Sequence, residues 1–265
     1  MTEDFEIKEE QDQEQEKKLK EYQKEIMRIA SGQRMLIFVV LTIIQFLISS
    51  YVLIAVTGVT LTVPASTSVI DFSDYAFLFY LIIIISAIIP VLVSLIYIGA
   101  KKDDHVLVSN TLHAAQTCLK IVKYLFIAVS VIVGLMLLLT LFSAFFRTFF
   151  YIILYALIFA FVWYVIKIYS DFLFDIERHV DAKPLTIKAD PSTIIMIQWI
   201  FFALSALNIV ISLFTGNDAN SSGVDLEAFY QVIQPFDSIS AFLGLASSLA
   251  LIFVLKEVKD EFTMR

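Results

Sequence analysis

Apolar residues occur along this chain in long uninterrupted runs rather than in short amphipathic windows. Runs free of charge extend over residues 35–70, 75–100, 191–217 and 238–255, and the run 124–166 carries Arg147 as its one charge. At about 1.5 Å per residue, a helix as long as the last run would far overshoot a hydrocarbon core of about 30 Å. It therefore predicts two spans folded at Arg147. Taken together the runs predict six membrane-spanning helices, at about 35–56, 75–98, 121–141, 148–168, 192–214 and 238–255. Alternating ten-residue segments, which would announce a membrane barrel, are absent. The expected fold is all-α, a polytopic six-helix bundle filling residues 35–255.

Local signals refine these elements. Pro90 falls inside the second span and predicts a kink there. Asp190 followed by Pro191 reads as an N-cap and a first-turn proline, opening the fifth span. Ahead of the first span, residues 17–34 read as an amphipathic helix. Leu19, Tyr22, Ile26 and Ile29 share one face among Lys17, Lys18, Lys20, Lys24 and Arg28, and Gly32 marks the end. Leu226, Phe229, Tyr230 and Ile233 predict a short interfacial helix before Pro235, and residues 256–265 form a charged tail.

Composition confirms the class. The chain is 59% hydrophobic and 17% charged, with mean hydropathy +0.83, far outside the range of soluble domains. The net charge of −7 is not spread evenly. Residues 1–16 hold eight acids against Lys8, which leaves eighteen acids and eighteen bases in the remainder. So acidic and apolar-poor a tail predicts disorder. The sorting of bases by side sets the topology. Linkers 58–74, 142–147 and 215–237 contain Arg147 as their one base, so the positive-inside rule places both termini in the cytoplasm. The membrane is expected to be a plasma membrane or an endomembrane. A single cysteine, Cys118, excludes a disulfide within the chain.

The six predicted span centres contain no ionisable residue, which weighs against proton-coupled transport, voltage sensing and intramembrane hydrolysis. Two polar stripes remain. Thr42, Gln45 and Ser49 share a face of the first span, and Gln198, Ser205, Asn208 and Ser212 share a face of the fifth. They suit either a hydrated lining or hydrogen bonding between helices. Ser240, Gly244 and Ser248 form a small-residue ridge for close helix packing. Possible metal or acid–base groups collect in the polar linkers: Asp103, Asp104, His105, His113 and Cys118 in one, and Asp171, Asp175, Glu177, His179 and Asp181 in the other. Asp171, Asp175 and His179 recur at helical spacing, which is the case for a metal site.

No nucleotide loop, catalytic elbow or zinc-protease motif is present, so no catalytic residue and no cofactor is expected. The leading expectation is a non-enzymatic membrane protein, a scaffold or accessory subunit with a protein partner or a second copy of itself, in contact with lipid and not with nucleic acid. A passive channel or facilitator lined by Gln45, Gln198 and Asn208 is the first alternative. A membrane enzyme using the acidic cluster as a metal site is the second.

Overall fold

The computed structural model describes residues 2–58, 60–62, 69–141, 145–183, 190–215 and 227–263. Its helices are α1 (Thr2–Ala30), α2 (Gln33–Val56), α3 (Ala76–Ser86), α4 (Ile88–Lys101), α5 (His105–Leu141), α6 (Phe145–Val180), α7 (Pro191–Thr215) and α8 (Glu227–Thr263). The fold is all-α, apart from a short antiparallel ribbon of β1 (Thr60–Thr62) and β2 (Val69–Asp71) that sets Thr60 opposite Asp71. A single 3-10 turn, Phe72–Tyr75, leads from β2 into α3.

Five helical stretches are long and apolar enough to cross a membrane: Gln33–Val56, Ser73–Lys101, His105–Leu138, Tyr151–Val180 and Ile239–Glu261. Pro191–Leu207 is a shorter apolar helix among the described residues. Their outward faces carry large apolar side chains, with Leu47, Phe77, Leu125 and Leu157 all more than half exposed. A helix apolar on the face it turns away from its neighbours is solvated by lipid, not water. The chain is an integral multi-pass membrane protein.

The helix boundaries follow from local chemistry. Between α3 and α4 the helix breaks at Ala87, because Pro90 has no N–H to offer the Ser86 carbonyl. The Ser86 and Ser94 hydroxyls donate to the Ile83 and Pro90 carbonyls beside this break, at 3.0 and 2.6 Å. Asp104 caps α5 by accepting the Leu107 N–H at 2.9 Å, and Asp190 caps α7 by accepting the Ser192 N–H at 2.9 Å. At both α4 and α6 the chain leaves through a left-handed residue, Asp103 (φ 56°) and Ala182 (φ 50°). The N–H groups of Asp104 and Lys183 then reach back to the Gly99 and Arg178 carbonyls, each at 2.9 Å.

Four expectations need correction. Helix α1 begins at Thr2, where composition predicts a disordered tail over residues 1–16. Ion pairs one turn apart, Glu14 with Lys18 at 2.9 Å and Glu16 with Lys20 at 2.7 Å, favour the helix there. Most of the polar segment after the second span, residues 105–120, and residues 170–180 of the one after the fourth are not linkers but parts of α5 and α6, which run 37 and 36 residues. No glycine or proline interrupts 105–133 or 145–180, so hydropathy changes along these helices while backbone geometry does not. Arg147 is the third residue of α6 rather than the turn, since a lone arginine is a good helix former. Pro235 lies inside a continuous α8 instead of separating an interfacial helix from the sixth span. A proline removes one backbone hydrogen bond, a loss that membrane helices tolerate.

Contacts divide the chain into two compact units, Met1–Arg28 with Gly99–Ile194, and Ile29–Ile98 with Ile195–Arg265. Within the first, α5 and α6 form an antiparallel pair joined by Phe126 stacked on Phe159 at 5.2 Å and by the Tyr155 hydroxyl donating to the Ser130 carbonyl at 2.9 Å. Within the second, α2 packs antiparallel to α8. Arg34 meets Glu257 at 3.2 Å at one end of the pair, and Tyr51 meets Phe236 at 5.1 Å between ring centroids at the other.

Candidate functional site: the polar platform of α1, α5 and α6

Beyond its apolar stretch, the α5–α6 pair continues as polar helix, and α1 docks on this end. The α1 stripe predicted from spacing buries Ile26, while Lys20, Lys24 and Arg28 on the other side are exposed. Tyr22 meets His179 of α6 edge-on, with centroids 5.9 Å apart and planes at 87°. Gln23 donates its amide to the Val180 carbonyl at 2.5 Å. Val180 is the last residue of α6, so this side chain satisfies one of the carbonyls that a helix end leaves open.

A second set of contacts ties α5 to α6. Glu177 accepts from the Gln116 amide with one carboxylate oxygen, and His113 Nδ1 lies 3.3 Å from the other. Thr111, Gln116, Asp175 and His179 are each no more than 4% exposed, a concentration of buried polar side chains unlike any among the described residues of the predicted spans. His179 Nδ1 lies 2.5 Å from the Asp175 carbonyl one turn earlier, and the Thr111 hydroxyl donates to the Leu107 carbonyl at 2.7 Å. Both of these bonds stay within one helix, so the Gln116–Glu177 and Gln23–Val180 hydrogen bonds are the polar contacts that fix α5 and α1 against α6.

Asp181 follows α6 at the rim. Burial raises its pKa, but hydrogen bonds from Lys183 and Ser109, with the charges of Lys183 and His105, outweigh that and hold the carboxyl below its ordinary range. The Lys183 ammonium sits 2.6 Å from it.

The structure disperses the proposed metal ligands. Among the described residues, no three His, Cys, Asp or Glu side chains come together as a group that could hold a metal ion. Asp175 and His179 are buried on α6, His179 against Tyr22 of α1, whereas Asp171 is only half-buried and lines a groove between α5 and α6. In the other polar set, Asp103 and Asp104 serve the turn between α4 and α5, His105 opens α5, and Cys118 is half-buried on α5.

The stripes in the membrane helices fare differently. The Thr42 hydroxyl donates to the Phe38 carbonyl of its own helix at 2.7 Å. Gln45 lies against α8, where a Cβ added to Gly244 would stand 3.7 Å from its Nε2. Ser240 and Ser248 are half-buried one turn to either side of Gly244, Ser247 is buried beside them, and Ser49 is half-buried on α2. Gln198 is half-buried and Ser205 exposed on α7, while the side chains of Asn208 and Ser212 lie outside the described part. The residues that spacing alone missed are Gln23, Thr111 and Gln116. Only Gln23 left a trace in the sequence, one turn ahead of the buried Met27.

Comparison with protein-family models, curated proteins and solved structures finds no match to this chain.

Proposed function

We propose that this protein is a non-enzymatic membrane subunit whose polar platform holds a partner protein at the membrane surface. The observation that carries the reading is the length of α5 and α6. At 37 and 36 residues they run about 55 Å, against a hydrocarbon core of about 30 Å. More than a third of each helix therefore projects from the bilayer, rigidified by α1 and by the Gln116–Glu177 and Tyr22–His179 contacts. A rigid, charged projection with buried hydrogen bonds and no converging reactive groups among the described residues suits protein docking better than catalysis or conduction.

The same reading includes six spans with both termini in the cytoplasm. Supporting it are the 25-residue length of α7, enough for about 37 Å, and the confinement of every base but Arg147 to alternate segments. Cys118, the one thiol, lies on the projecting part of α5 and reports the side directly. A membrane-impermeant maleimide should label it only after the membrane is opened.

Purification from native membranes in mild detergent, followed by mass and partner analysis, tests the role. A stoichiometric second protein is the expected result. A lone homo-oligomer that conducts solute in liposomes would overturn the reading in favour of a channel.

A further inference from the structure

Between α5 and α6 lies a groove of about 530 Å³, lined among others by Lys120, Lys123, Trp163, Lys167, Ser170 and Asp171. That volume falls within the range of about 300–1,000 Å³ typical of small-molecule sites. Lys120 and Lys123 stand three apart on α5, and Lys167, Ser170 and Asp171 stand three and four apart on α6, so each set occupies one helix face. Three ammonium groups against one carboxylate leave the lining net positive. The Lys123 ammonium sits 4.4 Å from the Trp163 ring centroid, a contact that holds it in place without neutralising its charge.

Depth identifies what such a groove meets. Lys120 is 21 residues before Leu141, the last described residue of α5, which is about 32 Å along the helix and close to the thickness of the hydrocarbon core. The groove therefore lies at the headgroup level on the face opposite the α5–α6 turn. Below it, on the same two helix faces, the surface is apolar: Val131 is exposed and Ile127 half-buried on α5, and Phe159 is half-buried between the exposed Ala156 and Ala160 on α6. Trp163 itself continues inward as a stack on Phe159, at 6.1 Å.

The geometry points to a binding site for the phosphodiester of an anionic phospholipid of the phosphatidylglycerol class. Lys120, Lys123 and Lys167 hold the phosphate, Ser170 and Asp171 engage a headgroup hydroxyl, and the acyl chains run down the exposed apolar flank. Free phosphate would meet the same ammonium groups but would gain nothing from that flank. The site is independent of whether the platform binds a partner protein.

The test uses the detergent-solubilised full chain carrying Trp199→Phe, which leaves Trp163 as the one indole. Its emission is followed during titration with micelles containing phosphatidylglycerol, micelles containing phosphatidylcholine, and inorganic phosphate. A saturable change with phosphatidylglycerol alone is expected. Each lysine near an anionic surface contributes about fivefold in affinity, so Lys120→Gln/Lys123→Gln/Lys167→Gln should raise the half-saturation point on the order of a hundredfold. Lys24→Gln/Lys102→Gln, at exposed lysines outside the groove, should change it by less than about threefold. Should the triple variant not fold, Lys123→Gln alone is expected to shift the midpoint about fivefold. No emission change, an equal response to phosphatidylcholine or to inorganic phosphate, or equal losses in groove and control variants would each overturn the assignment.

Discussion

The α5–α6 pair and the α2–α8 pair are both antiparallel helix pairs, yet they place their polar residues in opposite ways. In α5–α6 the buried polar groups lie mostly beyond the apolar stretch, where Gln116 reaches Glu177 and α1 closes over His179. In α2–α8 they lie within it, where Gln45 rests on Gly244 and the Arg34–Glu257 pair marks only the end. The difference teaches what each pair must accomplish. Where lipid surrounds a pair there is no hydrophobic drive between helices, so small residues and single polar contacts do the packing. Where water surrounds it, apolar burial brings α1 in and the polar network sets its register.

The strongest way to break this contrast is at His179. It is 1% exposed and holds both the α6 backbone and the Tyr22 ring, so His179→Ala should cost about 2–4 kcal/mol and free α1 for hydrogen exchange. Gln45→Leu in the α2–α8 pair should cost less than about 1 kcal/mol, because contacts of that kind in membranes are individually weak. Unchanged exchange of α1 in His179→Ala would show that the platform is held elsewhere.

Glycines sharpen the comparison next. A Cβ on Gly99 would stand 2.9 Å from Val108 Cγ2 and 3.4 Å from the Asp104 carbonyl oxygen, so Gly99→Ala should destabilise the chain by about 1–3 kcal/mol. Gly134, on the same α5–α6 pair, has nothing within 4 Å of such an atom, and Gly134→Ala should stabilise by up to about 1 kcal/mol. At Gly244 an alanine methyl meets Gln45 at ordinary contact distance and should be tolerated, whereas Gly244→Leu should separate α2 from α8 at about 1–3 kcal/mol. Thermal unfolding of the purified variants in one detergent ranks all three.

Much of this fold was legible in advance, and the reasons are particular. Hydropathy marked the apolar cores of α2, α5, α6 and α8 because lipid imposes composition directly. The proline rule located the break beside Pro90, and the Asp190–Pro191 pair marked the start of α7. Hydropathy could not mark where α5 and α6 end, since a helix leaving the bilayer changes its side chains and not its backbone. The platform was hidden for a second reason. Asp175 and His179 have the helical spacing of a metal pair, and only the docking of Tyr22 and Gln23 reveals that spacing as a helix joint.

Smaller effects probe the rim of the platform. Ala182 holds a left-handed backbone at φ 50°, a conformation in which its Cβ is strained. Ala182→Gly keeps the Lys183-to-Arg178 hydrogen bond and should raise stability by about 0.5–1 kcal/mol. A loss instead would mean that the methyl group packs usefully at the end of α6.

The smallest effect is electrostatic and confined to acid pH. Asp181 titrates below its ordinary value of 3.8 in the folded chain, because Lys183 and Ser109 bond to its charged form more strongly than burial penalises it. A carboxyl with a depressed folded pKa binds its proton more readily when unfolded. Its contribution is therefore complete above the unfolded pKa and is lost as pH falls through the folded one. Asp181→Asn keeps the shape and removes the charge. Its melting temperature should lie slightly below that of the parent at neutral pH, and the two curves should converge below about pH 4. Glu257, whose partner Arg34 joins α2 to α8, offers the matching experiment on the other pair through Glu257→Gln. Its ion pair is partly exposed, so added salt should shrink the difference it makes, as it does for surface pairs generally. If salt instead leaves the Glu257→Gln difference intact while erasing that of Asp181→Asn, the distinction between a water-facing platform and a lipid-facing pair would need to be redrawn at the helix ends.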